Sequence, residues 1–132
     1  MVGEPSASRE RSAAPRVLVV DDDQDILDAL SEILEVEGYA VQRARNGREA
    51  LQRLEQGLPD LVLLDLMMPV MDGWEFARSL GPGARPSIIV LSADRNVSSK
   101  AKEIGALGWL AKPFELSELL AAVRRAVPVE TP

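Results

Sequence analysis

The 132-residue sequence predicts an α/β fold in which an open, doubly wound, five-stranded parallel sheet forms a single domain. Three observations lead to this prediction. Strand and helix signals alternate five times along the chain, and the central strand segments are apolar without alternation, as expected where helices cover both faces of a parallel sheet. The length allows one good hydrophobic core and leaves no room for a second module of ordinary size.

The strands are predicted from short apolar runs bounded by turn or charged residues. In order they cover residues 16–20, 39–44, 61–64, 88–91 and 107–111. The second run alternates between apolar and polar residues, which is typical of an edge strand. Five βα units that do not close into a barrel give an open sheet with helices on both faces.

The helices are predicted from apolar residues that recur at helical spacing. They cover residues 24–37, a segment starting at Asn46-Gly47 and ending before the loop 57–60, and residues 72–80, 96–104 and 115–127. In the first helix Gly38 stands in the C′ position, where glycine favours termination. The apolar face of that helix comprises Ile26, Leu27, Leu30, Ile33 and Leu34, and that of the last comprises Leu116, Leu119, Leu120, Val123 and Val127.

Composition limits the classes of function. Residues 1–15 are rich in Ser, Ala, Pro and charge and predict a disordered tail, residues 16–127 predict the folded domain, and residues 128–132 predict a C-terminal tail. The chain lacks Cys, an apolar stretch of membrane-spanning length and a secretory signal, which favours a cytoplasmic protein. A net charge of −6 argues against nucleic-acid binding. The absence of His excludes catalysis by imidazole and metal sites with imidazole ligands.

Four apolar runs each end in a polar or charged residue. These residues are Asp21 and Asp22, then Asp65, Ser92 and Lys112. Because the carboxyl ends of parallel strands meet at one edge of the sheet, we expect these side chains to share one pocket. Carboxylates about 4 Å apart repel by roughly 4 kcal/mol per pair at an effective dielectric near 20, so the cluster favours a bound cation. An all-oxygen site suits Mg²⁺ or Mn²⁺.

Four motifs at these strand ends resemble the receiver domains of two-component response regulators. They are VLVVDD at residues 17–22, DLVLLDLMMPVMDG at 60–73, Ser92-Ala93, and GWLAKPF at 108–114. The resemblance covers residues 16–127. It implies a flavodoxin-like (βα)5 fold with the strand order 2-1-3-4-5.

The resemblance also implies a role for each pocket residue. Asp65 matches the phosphoacceptor, and Asp21 and Asp22 match the acidic pair that binds Mg²⁺ together with Asp65 and the backbone carbonyl of Met67. Lys112 matches the lysine that offsets phosphoryl charge. The chemistry is consistent with these roles, because an aspartate attacks a charged phosphoryl group only where positive charge neutralises both.

Two further positions match the family's switch residues. Ser92 matches a hydroxyl that binds the phosphoryl group after transfer, and Trp109 matches an aromatic residue that turns inward on activation. The alternatives are that Ser92 is the N-cap of the fourth helix and that Trp109 is a static aromatic on an edge strand. For Asp23 a role as N-cap of the first helix is favoured, and Lys112-Pro113 matches a peptide bond that is often cis in the family.

The leading hypothesis is a stand-alone receiver similar to single-domain chemotaxis regulators. It would take a phosphoryl group from a histidine kinase or phosphotransfer protein and then bind a downstream protein target. Receivers attached to DNA-binding domains often form symmetric dimers through charged residues, which are replaced here by Leu107, Gly108 and Ala122. We therefore expect a monomer or weak dimer.

Three alternatives remain open at the level of sequence. The first is a receiver taken from a hybrid kinase or a longer regulator. The second is an aspartate-nucleophile phosphohydrolase, although Met67 stands where such enzymes carry a second acid. The third is a pseudo-receiver that only binds proteins, which the complete set of pocket residues argues against. We expect a signalling protein with slow self-phosphorylation and self-dephosphorylation, not an enzyme.

Overall fold

The computed structural model describes residues 14–81 and 85–129 as a five-stranded sheet between two layers of helices. The elements are β1 Arg16–Val20, α1 Gln24–Val36, β2 Ala40–Ala44, α2 Gly47–Glu55, β3 Leu61–Asp65, α3 Gly73–Ser79, β4 Ser87–Ser92, α4 Val97–Ile104, β5 Gly108–Ala111 and α5 Leu116–Ala126. All strand pairs are parallel and follow the order β2-β1-β3-β4-β5. The predicted fold class and strand order are confirmed.

The core lies in two layers, one on each face of the sheet. Successive residues of β1 and β3 point to opposite faces, so both layers need apolar side chains at every strand position. One layer contains Leu18, Val62 and Leu64 with Phe76, Val97 and Ile104, and the other contains Val17, Leu61 and Leu63 with Leu27, Leu34 and Leu119. This arrangement explains the unbroken apolar runs of the central strands.

The first helix begins as the sequence predicts. The Asp23 side chain accepts hydrogen bonds from the backbone N–H groups of Asp25 and Ile26, which confirms its role as N-cap. After the helix, Gly38 adopts a φ of 105°, a conformation that glycine tolerates best. No helix in residues 14–81 and 85–129 is long and apolar enough to cross a membrane.

Two strands continue one residue beyond their predicted carboxyl ends, and the starts of β2, β4 and β5 also differ from the prediction by one residue. Asp65 is the last residue of β3 and pairs with Leu91, and Ser92 is the last residue of β4 and pairs with Ala111. The sequence assigned both polar residues to the turns after the strands, because a charged or polar residue usually marks the end of an apolar run. The ladder continues through them, so the strand backbone itself sets their positions.

The predicted tails fall largely outside the described part of the chain, which excludes residues 1–13 and 130–132. At the described end of the N-terminal segment, the Pro15 carbonyl accepts a hydrogen bond of 2.9 Å from the Ala40 N–H. Beyond α5, the buried Tyr39 hydroxyl donates a 2.7 Å hydrogen bond to the Val127 carbonyl. Val129 packs against the α1 and α5 side of the core.

Candidate functional site

Three carboxylates converge at the carboxyl ends of β1 and β3. One oxygen from each of Asp21, Asp22 and Asp65 lies within 4.8 Å of the others. Asp21 and Asp65 are buried, whereas Asp22 is exposed. They meet because β1 and β3 are neighbours in register, with Val20 beside Leu64. The structure therefore brings together the acidic residues that the strand-end pattern singled out.

Lys112 supplies the positive charge in this pocket. Its Nζ donates a hydrogen bond of 2.8 Å to Asp21 Oδ2 and lies 3.6 Å from Asp65 Oδ2. The Lys112 N–H also donates to the Ser92 carbonyl at 2.8 Å, which continues the pairing between the ends of β4 and β5. The Lys112–Pro113 peptide bond is cis, as the family resemblance implied.

The pocket makes ionisation of Asp65 less favourable than it is in water. Burial is the main cause that raises its pKa from 3.8 to about 6, and the negative charges of Asp21 and Asp22 add to the effect, against the Met67 N–H and Lys112, which lower it. Burial alone would lower the pKa of Lys112, but its hydrogen bond to Asp21 and the charges of Asp65 and Asp21 raise it instead. Lys112 thus stays charged, whereas the hydrogen bond and the positive charge that favour ionised Asp65 do not fully offset its burial and the repulsion from Asp21 and Asp22.

The carboxylates are held in fixed orientations. Asp21 Oδ1 accepts the Asp23 N–H at 2.9 Å, and Asp65 Oδ1 accepts the Met67 N–H at 3.1 Å. Oxygen donors that are charged, partly desolvated and orientated in this way fit a hard divalent cation such as Mg²⁺. Asp21, Asp22 and Asp65 are the side chains that could hold it.

The methionines after Asp65 occupy different environments. Met68 is buried and Met71 packs against the core, whereas the Met67 side chain is 62% exposed. The Met67 backbone N–H donates a hydrogen bond to Asp65 Oδ1, while the side chain is exposed to solvent beside the pocket.

Ser92 lies within the sheet next to this pocket. It is fully buried, and the pairing of Asp65 with Leu91 places it one residue beyond the neighbour of Asp65. Its Oγ accepts a 3.1 Å hydrogen bond from the Asp94 N–H. The N-cap of α4 is Asn96, so the alternative that Ser92 caps this helix was wrong.

The two tryptophans have different surroundings. Trp109 lies on the edge strand β5 and is 46% exposed, with the exposed Leu107 nearby in sequence. Trp74 is partly buried against the core. Only Trp109 therefore presents an indole that could move from solvent into the protein.

Sequence reasoning missed the close packing of the loop between β3 and α3. A Cβ atom at Gly73 would stand 2.3 Å from the Asp65 carbonyl oxygen, and one at Gly47 would stand 2.6 Å from Met71 Cγ. The Gly47 N–H also donates a 2.7 Å hydrogen bond to the Met71 carbonyl. From the sequence, residue 72 was predicted only as the start of a helix.

An apolar groove of about 250 Å³ lies beside Lys112. It is lined by residues of α1, of the segment between β5 and α5, and of the first position of α5, namely Ile26, Ala29, Leu30, Pro113, Phe114 and Leu116. The groove adjoins the charged pocket through Lys112, so a protein bound there would lie close to Asp65.

Comparison with known proteins identifies the family. The model of the response regulator receiver domain matches residues 17–124. The response regulator MprA of Mycolicibacterium vanbaalenii is 43% identical over 120 residues, which cover 89% of this chain and 52% of that protein. The chain thus spans about half the length of this curated relative.

Solved structures agree with this comparison. The chemotaxis protein CheY4 of Vibrio cholerae is 35% identical with a TM-score of 0.78, and the match covers 87% of this chain and all of that one. The response regulator TrrA of Thermotoga maritima, solved in complex with Mg²⁺ and BeF, is 36% identical with a TM-score of 0.77, over 86% of this chain and 99% of that one. The chain belongs to the response regulator receiver domains of two-component signalling.

Proposed function

We propose that Asp65 accepts a phosphoryl group from a phosphohistidine of a histidine kinase or phosphotransfer protein, and that the phosphorylated form binds a downstream protein differently. The observation that carries this proposal is the position of Asp65. Its buried carboxylate ends a central strand, shares a pocket with two other acids and lies 3.6 Å from the Lys112 ammonium.

The residues of the pocket have separate roles in phosphoryl transfer. Asp65 Oδ1 is held by the Met67 N–H, which leaves Oδ2, on the Lys112 side, to attack phosphorus as the bond from phosphorus to the donor histidine breaks. Lys112 then faces the phosphoryl oxygens and offsets their charge. A cation held by Asp21, Asp22, Asp65 and the Met67 carbonyl would neutralise charge on the carboxylate and the phosphoryl group when bound.

Ser92 supplies a contact that depends on phosphorylation. Its buried hydroxyl lies at the end of the strand beside Asp65 and is placed to donate to a phosphoryl oxygen. Before transfer its oxygen accepts the Asp94 N–H. A bond formed in only one state of the protein shifts the balance between conformations, which is the basis of a switch.

The same pocket is poorly equipped for rapid hydrolysis of the phosphoryl group. Met67 stands two residues after Asp65, and its exposed side chain offers no base that could activate water. We infer that the chain is a signalling protein with slow chemistry of its own, not a phosphohydrolase. The phosphorylated form would then persist long enough to find a partner.

The groove beside Lys112 supports a protein as phosphoryl donor. Its walls are mainly apolar, and Lys112, which lines it, also lies 3.6 Å from Asp65 in the charged pocket. A small phosphate ester would not need such a surface, whereas a docked protein domain would. We propose a cytoplasmic protein, acting either alone or as part of a longer regulator, since MprA is about twice as long as the matched segment.

Phosphorylation by a small donor tests the proposal directly. The chain is incubated with acetyl phosphate and Mg²⁺, and intact mass spectrometry is expected to show one added phosphoryl group. Asp65→Asn is expected to remain unmodified, whereas the control Asp60→Asn, at an exposed acid before the same strand, is expected to behave as the wild type. Modification that persists in Asp65→Asn would overturn the assignment.

A further inference from the structure

The loop between β4 and α4 is organised around the Asp94 side chain. The Asp94 backbone N–H donates a hydrogen bond to Ser92 Oγ at 3.1 Å. Its carboxylate accepts the Asn96 N–H at 2.7 Å and pairs with Lys100 Nζ at 2.6 Å. Asp94 therefore connects the hydroxyl beside the phosphoacceptor to a lysine in α4 through two polar contacts.

Asp94 also replaces the missing cap of α4. The N-cap residue Asn96 makes no side-chain hydrogen bond to the helix. The helix has only eight residues, so its first turn depends on contacts from outside for its position. The Asp94 carbonyl accepts the Val97 N–H at 3.2 Å, and the carboxylate holds Lys100 about one turn further on. A shift of Asp94 would therefore displace the start of α4.

The ion pair is partly shielded from solvent. The Asp94 side chain is 21% exposed and that of Lys100 is 36% exposed. Hydrogen bonds from Lys100 and Asn96 hold the pKa of Asp94 below its usual value, so the carboxylate is charged at neutral pH. Both partners of the ion pair are therefore charged at the neutral pH at which we propose that Asp65 accepts a phosphoryl group.

Phosphorylation of Asp65 would act on this loop through Ser92. When Ser92 donates to a phosphoryl group on Asp65, any displacement of its oxygen toward that group either carries the Asp94 N–H with it or breaks their hydrogen bond. We propose that the ion pair between Asp94 and Lys100 stabilises the loop arrangement that precedes phosphorylation and links Ser92 to the position of α4. This inference rests on the proposed function and assigns Asp94 the role of a positioning residue.

The energetic consequence has a defined sign. A contact that stabilises only the unphosphorylated arrangement opposes binding of a phosphoryl group or its mimic. Removing the pair should therefore increase affinity for the mimic. Partly exposed pairs have modest strength, so an increase of about threefold is expected.

The test is a titration with beryllium fluoride in the presence of Mg²⁺, followed by calorimetry. Lys100→Met keeps the apolar stem and removes the charge, and it is expected to bind the mimic about threefold more tightly than the wild type. The control is Lys102→Met in the same helix, whose side chain is exposed and, within the described residues, forms no salt bridge. Unchanged or weaker binding by Lys100→Met would overturn the inference.

A charge exchange separates the ion pair from other effects. Asp94→Lys combined with Lys100→Asp restores a pair of opposite charges and is expected to return the affinity toward the wild-type value. Amide exchange at Asn96 and Val97 is expected to be faster in Lys100→Met, because the start of α4 has lost an anchor. An affinity that stays high in the charge-exchanged protein would contradict the role of the pair.

The titration also distinguishes the two proposals. If the wild type binds the mimic, Asp65→Asn does not, and Lys100→Met equals the wild type, only the role of the ion pair is wrong. If the wild type and Asp65→Asn both fail to bind, the proposed function is wrong and the inference falls with it. Tighter binding by Lys100→Met but not Lys102→Met supports both.

Discussion

The backbone of Gly73 lies against the main-chain carbonyl of Asp65, so closely that a Cβ atom at residue 73 would stand 2.3 Å from the carbonyl oxygen. Real side chains cannot approach a backbone atom to this distance. The start of α3 thus depends on glycine for its contact with the strand that carries the phosphoacceptor. The Gly73 N–H also donates a 3.2 Å hydrogen bond to the Leu66 carbonyl, which fixes the loop to the strand end.

We predict that Gly73→Ala lowers both stability and phosphorylation. The added methyl group must displace α3 or the end of β3, which is expected to cost about 3 kcal/mol in the free energy of unfolding. Urea denaturation and the rate of modification by acetyl phosphate measure the two effects. The control is Gly108→Ala, where no atom lies within 4 Å of the added methyl and little change is expected. Equal effects of the two substitutions would contradict the packing argument.

We predict that Asp65 destabilises the metal-free protein above pH 6. Its pKa is about 6 in the folded protein and 3.8 as the ordinary value, so its contribution favours folding below about pH 4 and is lost as the pH rises through 6. The difference between these two pKa values corresponds to roughly 3 kcal/mol in the free energy of unfolding. In a chelator, Asp65→Asn should therefore be more stable than the wild type at pH 7.5 and nearly equal to it at pH 4.

The measurement is urea unfolding across this pH range. Glu55→Gln serves as the control, because it removes one negative charge from an exposed helix position. Its effect on stability is expected to be small at both pH values. A gain in stability by Asp65→Asn that does not vary with pH would show that desolvation of the ionised carboxylate is not its cause.

We predict that Mg²⁺ stabilises the fold and that Asp22→Ala removes this response. The cation relieves repulsion among three carboxylates that converge only in the native state. Without metal, Asp22→Ala is expected to melt at a higher temperature than the wild type, since one repelling charge is gone. Asp23→Ala is the neighbouring control, and it should cost about 1 kcal/mol through loss of the helix cap while the response to Mg²⁺ remains. An Asp22→Ala protein that responds normally to Mg²⁺ would argue against the site.

The predicted fold followed from signals that are local in the chain. The apolar run 61–64 has no polar interruption because both faces of β3 are covered, and the helix after Asp23 has a recognisable cap and apolar face. Predicted ends differ from the observed ends by a residue at Asp65 and Ser92. At both positions strand pairing outweighs the polar character of the side chain.

The residues that form the site could also be predicted from the sequence, but the packing contacts that hold the surrounding elements in place could not. Asp21, Asp22, Asp65 and Lys112 each follow an apolar run, and parallel strands bring such positions together. By contrast, the contact of Gly47 with Met71 and the hydrogen bond from Tyr39 to Val127 join residues far apart in sequence. Such contacts leave no periodic pattern, because they depend on how the helices and loops pack.

We predict that Val70→Asn stabilises the protein. Val70 has a φ of 69°, a conformation that is unfavourable for a β-branched residue, and Met71 N–H donates to the Pro69 carbonyl across it at 2.8 Å. Asn tolerates this conformation better, so a gain of about 1 kcal/mol is expected from thermal and urea unfolding. Val70→Thr keeps the branched Cβ and should give no gain. Equal stabilisation by Thr and Asn would trace the effect to polarity at this exposed position and not to backbone strain.

The last prediction concerns Trp109 as a reporter of phosphorylation. Its indole is 46% exposed on the edge strand β5, three residues before Lys112. A phosphoryl group adds about −1.5 to −2 charge at neutral pH and should draw Ser92 and Lys112 toward Asp65. Movement of Ser92 would open space beneath the surface formed by α4, β5 and α5, into which the indole can turn. We therefore expect Trp109 to become less exposed on phosphorylation.

The measurement uses a Trp74→Phe background, so that Trp109 is the sole tryptophan of the sequence. Iodide quenching of its fluorescence is expected to fall after treatment with acetyl phosphate and Mg²⁺, and the change should vanish in Ser92→Ala. Loss of the change in Ser92→Ala with phosphorylation intact would show that the hydroxyl couples the pocket to β5. If Trp109 stays equally exposed while partner binding still depends on phosphate, the indole is a static contact and the conformational change lies in residues 93–99, the segment that Asp94 connects to α4.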